Sequence, residues 1–164
     1  MSTIDEKLPL PTSMAYFTRI PDAVIAAIRE QDVAYVVGCM AWFSNLAVIQ
    51  ELTKCQGVSI VTSHRNKVSR KTKFRKLYSK FKHIGKWPTV AEFESPRPDG
   101  MMHHKFLVAF GEDLVPRWLM CGSCNMTENC NNNRENILII RDAHLALQYY
   151  EEFKRMLHVS KRLM

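Results

Sequence analysis

The sequence predicts an α/β domain whose sheet begins parallel and continues antiparallel, and three observations carry that expectation. Residues 21–62 alternate helix-period and strand-like apolar runs, the pattern of parallel strands joined by helical crossovers. Residues 101–121 hold two apolar runs around Gly111-Glu112-Asp113-Leu114, as a hairpin does. A last helix-period segment from Asp142 to about His158 turns Leu145, Tyr149, Phe153 and Met156 to one side. The 164 residues fit one domain, since domains commonly run to about 100–150 residues, and a 46% hydrophobic content is ordinary for a globular core.

Taken in order, residues 1–16 read as an irregular arm, followed by a single domain over 17–164. The arm carries acids and prolines and lacks the apolar stretch of a secretory signal. The longest apolar run, 33–43, is far shorter than the roughly 20 residues a bilayer span needs. These features predict a soluble, intracellular (cytoplasmic) chain. Pro21 opens a helix with Val24, Ile25 and Ile28 on one face, ending near Gln31. Residues 33–42 form a continuous β-prone run, as in a strand covered on both sides. Asn45 is placed to cap a helix to about Lys54, with Gly57 ending it, before a short strand over 58–62. Further on, 89–94 reads as a strand, 96–100 as a turn, 101–110 and 115–121 as an antiparallel pair, and 136–140 as another strand.

A formal net charge of +7 favours an anionic partner. That charge is unevenly placed. No acidic residue occurs from Leu52 through Val90, whereas 63–86 holds ten Lys or Arg. Phe74, Tyr78 and Phe81 recur at helical spacing, so a basic helix over 71–83 docked by its aromatic face is expected. Solvated helices usually mix charge signs for i,i+4 pairing, and this one does not. The segment at about 64–87 is therefore expected to meet phosphates through Arg65, Lys67, Arg70, Lys71, Lys73, Arg75, Lys76 and Lys80, with Tyr78 or Trp87 stacking on unpaired bases. The same stretch offers a route to anionic membranes.

Five cysteines, an odd number, do not read as a disulfide framework, and reduced thiols are expected. Cys121-x2-Cys124 has no matching second pair, so neither a metal site nor a cofactor is expected.

The residues suited to chemistry gather around the hairpin. Strand alternation turns His103 and Lys105 to one face, and a tight turn would set His103 opposite Gly122. Ser123 and Asn125 then emerge at the same end of the sheet, and Glu135 approaches it from the next strand. An imidazole can attack phosphorus while an ammonium and a carboxamide hold the non-bridging oxygens, and a carboxylate can orient the imidazole.

The segments Met102-His103-His104-Lys105-Phe106, Gly122-Ser123-Cys124-Asn125 and Asn133-Arg134-Glu135-Asn136, the last followed by Ile-Leu-Ile-Ile, resemble the HKD motif of the phospholipase D superfamily. The likeness is closest to the single-motif Nuc-type and Zucchini-type endonucleases. The upstream order, Trp42-Phe43-Ser44 closing a strand and Gly57-Val58 opening the next, is similar to theirs. This resemblance implies a mixed sheet with helices on both faces and a homodimer in which two motifs share one site. His103 would be nucleophile in one subunit and general acid/base in the other. Lys105 and Asn125 would bind phosphate oxygens, Ser123 would support them, and Glu135 would orient His103. The family pattern has an aspartate five residues after the lysine, where this chain has Phe110. The implied function is a metal-independent phosphodiesterase, an endonuclease on DNA or RNA working through a covalent phosphohistidine. The alternatives are a catalytically weakened nucleic-acid-binding dimer, prompted by Phe110, and a phospholipid phosphodiesterase.

Overall fold

The centre of the molecule is built from strands whose side chains are apolar on both sides, which forces them to be covered above and below. A computed structural model describes residues 12–164, apart from the side chains of Val68 and Ser69. Its strands are β1 (Ser13–Tyr16), β2 (Tyr35–Met40), β3 (Gly57–Ser63), β4 (Val90–Phe93), β5 (Lys105–Phe110), β6 (Pro116–Gly122), β7 (Ile137–Ile140) and β8 (Lys161–Arg162). They form one sheet in the order β1-β7-β6-β5-β2-β3-β4-β8. β2, β3 and β4 pair in parallel, and every other neighbouring pair is antiparallel.

Three helices, α1 (Ile20–Ile28), α2 (Leu46–Leu52) and α3 (Thr72–Tyr78), contribute to the core layer with Val36, Ile60, Leu107, Trp118, Met120 and Ile137. The long helix α4 (Ala143–His158) covers the other face, where Phe153 and Ala146 meet Val37, Phe106, Val108 and Leu119. The expected mixed sheet with helices on both faces is thus present. Two buried polar contacts fix the first layer: Trp118 Nε1 donates to the Ala27 carbonyl at 3.2 Å, and Tyr78 Oη donates to the Phe43 carbonyl at 2.6 Å. Asn45 accepts from Val48 N and Asp142 from Leu145 N, so both helices predicted to start there are capped as the sequence implies.

The hairpin register differs from the sequence expectation by two residues. Leu107 pairs with Met120 and Phe106 with Cys121, so continuing the ladder sets Lys105, not His103, across from Gly122. Leu114 takes a left-handed conformation (φ 62°) to close a loop between Gly111 and Val115, and a bulge between Ala109 and Phe110 absorbs one further residue of β6. A shift of two leaves every side chain on its expected face.

Other expectations change more. Residues 1–11 of the expected arm lie outside the described residues, while Ser13–Tyr16 pairs with β7 as an edge strand, its exposed residues giving no apolar alternation to read. α3 is shorter than the 71–83 expectation, because a run of one charge sign supplies no i,i+4 ion pairs to extend it. Cys124 and Cys130 form a disulfide, contrary to the expected free thiols. A short 3-10 turn, Glu128–Asn131, brings their Cα atoms to 5.9 Å, a local closure that an odd cysteine count does not reveal. Among the described residues no helix is long and apolar enough to cross a membrane.

Candidate active site

One end of the sheet collects the polar residues. β2 ends at Met40, paired with Lys105 at the start of β5, while β6 ends at Gly122, paired with Ile137 at the start of β7. Gly122 is needed for this approach, since a Cβ there would stand 2.2 Å from the Asn136 carbonyl oxygen. The loops leaving β2 and β6 touch through a bridge between Phe43 and Met126.

His103 lies two residues before β5, in irregular chain, rather than in the strand itself. Its ring stands edge-on to Trp42, with centroids 6.1 Å apart. Burial, then the charge of Lys105, then that of His104, hold its pKa below the ordinary histidine value. Lys105 is 9% exposed, and its Nζ donates to the His103 carbonyl at 2.7 Å. Burial lowers its pKa, and the negative charge of Glu135 acts in the opposite direction. Asn125 Oδ1 accepts from Trp42 N at 3.1 Å, which leaves the carboxamide's N–H pair as its outward donor. Ser123 Oγ donates to Glu135, and Ser123 also accepts from Asn136 N at 3.1 Å.

Trp42 thus links His103 to Asn125, Lys105 is bonded to the His103 carbonyl, and Glu135 is bonded to Ser123. All five expected residues come to one end of the sheet. The carboxylate of Glu135 engages Ser123, and no hydrogen bond joins it to His103 among the described residues. The neighbouring His104 pairs with Glu152 of α4 at 3.0 Å. Trp42 is the member that sequence reasoning missed as a site residue, although it ends the β2 run where that run meets the site. Cys124, between Ser123 and Asn125, has its sulfur committed to Cys130.

The same architecture appears in known proteins. Residues 16–157 match the family model described as a cardiolipin synthase, PLD-like domain. The chain belongs to the phospholipase D-like family. An uncharacterized protein of Acanthamoeba polyphaga mimivirus is 23% identical over 176 residues, covering 84% of this chain and 62% of that protein. The mitochondrial cardiolipin hydrolase of Mus musculus is 40% identical over 58 residues, or 35% of this chain and 24% of its own length. This chain thus spans less than two thirds of either relative. Among solved structures, NucT from Helicobacter pylori superposes with a TM-score of 0.69 at 17% identity, covering 92% of this chain and 98% of that one.

Within this phospholipase D-like fold, Phe110 sits away from the site. It closes the far end of β5, beside Tyr35 and Pro116, and its ring meets Tyr150 of α4 at 5.1 Å.

The basic segment is only partly as expected. Lys67, Lys71, Lys73, Arg75, Lys76 and Lys80 are exposed. Arg70 is engaged by Glu92 at 2.8 Å, and Arg65 donates to the Pro98 carbonyl at 3.0 Å. Tyr78 is fully buried, and Trp87 packs against Tyr150 and Phe153. The Tyr78 ring is closed to a base because the core layer claims it, and the Trp87 ring keeps only part of its surface in water.

Proposed function

We propose that this chain is a phosphodiesterase that cleaves nucleic acid through a covalent phosphohistidine, with two copies pooling their motifs in one site. The observation that carries this reading is the convergence of His103, Lys105, Asn125 and Glu135 at one end of the sheet. Neutral His103 of one copy attacks phosphorus, a P–N bond forms, and the bond to the leaving oxygen breaks. Protonated His103 of the second copy gives that oxygen its proton. The same imidazole then takes a proton from water, the resulting hydroxide attacks phosphorus, and the P–N bond breaks to release the first histidine. Lys105 and the amide N–H groups of Asn125 are the donors for the charge on the non-bridging oxygens. Glu135, held by Ser123, supplies the negative charge that favours an ionised Lys105.

Nucleic acid is favoured as substrate by the exposed cations at Lys67, Lys71, Lys73, Arg75, Lys76 and Lys80, which suit a polyanionic backbone. A phospholipid diester is the second reading, favoured by the 40% identity over 58 residues with a protein named a cardiolipin hydrolase. One experiment separates them. Purified protein in EDTA is given labelled single- and double-stranded DNA and RNA, and vesicles containing cardiolipin, with His103→Ala alongside. Cleavage of nucleic acid by the unaltered protein alone is the expected result. Hydrolysis of cardiolipin with nucleic acid untouched would promote the second reading, and undiminished cleavage by His103→Ala would remove His103 as nucleophile. Sedimentation or gel filtration checks the pairing of copies, and a strictly monomeric active protein would contradict the shared site.

A further inference from the structure

In the basic segment Phe74, Tyr78 and Phe81 are buried and Trp87 is half-buried, whereas a largely exposed ring stands at the end of the sheet that carries the site. Phe17, between β1 and α1, is 68% exposed. Its neighbour Tyr16 packs against the core, so the chain commits one ring inward and leaves the next in water. Phe17 lines a groove of about 680 Å³ together with Arg19, Asn131, Asn132, Asn133 and Arg134.

The groove adjoins the candidate site along the chain and shares its end of the sheet. Arg134 directly precedes Glu135, and Cys130 on the groove wall is bonded to Cys124, between Ser123 and Asn125. α1 packs against the Glu128–Asn131 turn, so the two walls belong to one packed unit. Arg134 is exposed and forms no salt bridge among the described residues. Arg19 is held by Asp22 at 2.8 Å, which balances the one carboxylate of the lining.

The chemistry of this lining is specific. A flat exposed ring offers a stacking surface to any base, at about 1–3 kcal/mol per base. Three consecutive carboxamides present both donors and acceptors, as the polar edge of a base requires. An arginine without a salt bridge beside them suits the adjoining phosphate. A base inside a duplex has its faces stacked and its pairing edge occupied, so only an unpaired one can use this set together.

We propose that this groove is a subsite for an unpaired nucleotide flanking the scissile phosphodiester, which makes single strands the preferred substrate. The proposal rests on the nuclease reading above. The test uses the full chain carrying His103→Ala, so that ligand survives, and fluorescently labelled oligonucleotides of about 12 nucleotides, single-stranded or duplex. Adding Phe17→Ala is expected to weaken single-strand binding about tenfold while duplex binding changes less than about twofold. Adding Arg134→Gln is expected to weaken single-strand binding and flatten its salt dependence. With His103 intact, Phe17→Ala is also expected to redistribute the cut positions on a mixed-sequence single strand. Phe17 is exposed, so its variant should melt with the parent, which a thermal scan verifies.

Equal weakening for single strand and duplex would overturn the proposal, because it would mean a general charged surface. So would single-strand binding that neither change alters. The two readings fail differently. Cleavage by the unaltered protein with binding and cut positions indifferent to Phe17 sinks the subsite and keeps the nuclease. Selective loss of single-strand binding with no cleavage by the unaltered protein keeps the subsite and sinks the nuclease.

Discussion

At its first residue β5 carries Lys105, whose ammonium turns back to the His103 carbonyl, and at its last it carries Phe110, packed on Tyr150 under α4. Five residues separate them, about 16 Å along a strand, and an odd separation puts them on opposite faces. One end of the strand faces loops that leave polar atoms open. The other is sealed by a hairpin and a helix. Departure from a family pattern therefore means different things at the two ends: under the proposed mechanism a change at Lys105 would alter the chemistry, whereas one at Phe110 alters packing. The reason to suspect a silent protein, the missing aspartate, belongs to the packing end.

The largest expected effect is at the site end. His103→Ala should lower phosphodiester cleavage by a factor on the order of a thousand or more while circular dichroism and melting stay those of the parent. A modest loss would mean that this end does not house the nucleophile. At the sealed end, Phe110→Asp should cost about 3–5 kcal/mol in urea unfolding, since it removes a buried ring and places a carboxyl against Tyr150. It should not raise activity per folded molecule. A gain of about tenfold would show that the two ends are coupled after all.

The fold was legible where a run is apolar on both sides or a cap is unambiguous. Val33–Phe43, the hairpin around Gly111, Asn45 and Asp142 all announce their roles by period or position. β1 and β8 did not, because three exposed residues with a half-buried Tyr16 and a Lys-Arg pair hold no pattern until a neighbouring strand supplies one. The gathering of His103, Lys105, Ser123, Asn125 and Glu135 at one end of the sheet was legible from their spacing around strand ends. Trp42 was not, since its link to Asn125 spans 83 residues and runs through its own backbone N–H. Phe17 was hidden for a related reason: exposure is a property of the folded surface, and a phenylalanine in sequence reads as core.

A smaller effect concerns protonation. In the proposed mechanism attack requires neutral His103, the form present above its pKa. Burial and then Lys105 push that pKa down, so the acid limb of kcat/KM should fall below the ordinary histidine value of about 6.5. Lys105→Met removes one of those causes, and the limb should move upward even though the remaining rate is low. A limb that stays in place would mean that it reports another group. The smallest effect tests whether the site end is rigid by local design. Asn45→Ala, which removes the α2 cap beside the Phe43–Met126 bridge, should cost about 1 kcal/mol in urea unfolding. A loss several times larger would show that the loops at this end depend on the cap for more than one turn of helix.

The outermost strand beside β4 also bears on how such molecules meet one another. β8 is two residues long, and both of them, Lys161 and Arg162, are charged and exposed. A neighbour trying to extend the sheet there would find almost no ladder and two like charges in its way. That margin resists end-to-end growth of sheets, the usual route from a β-rich molecule to a fibre.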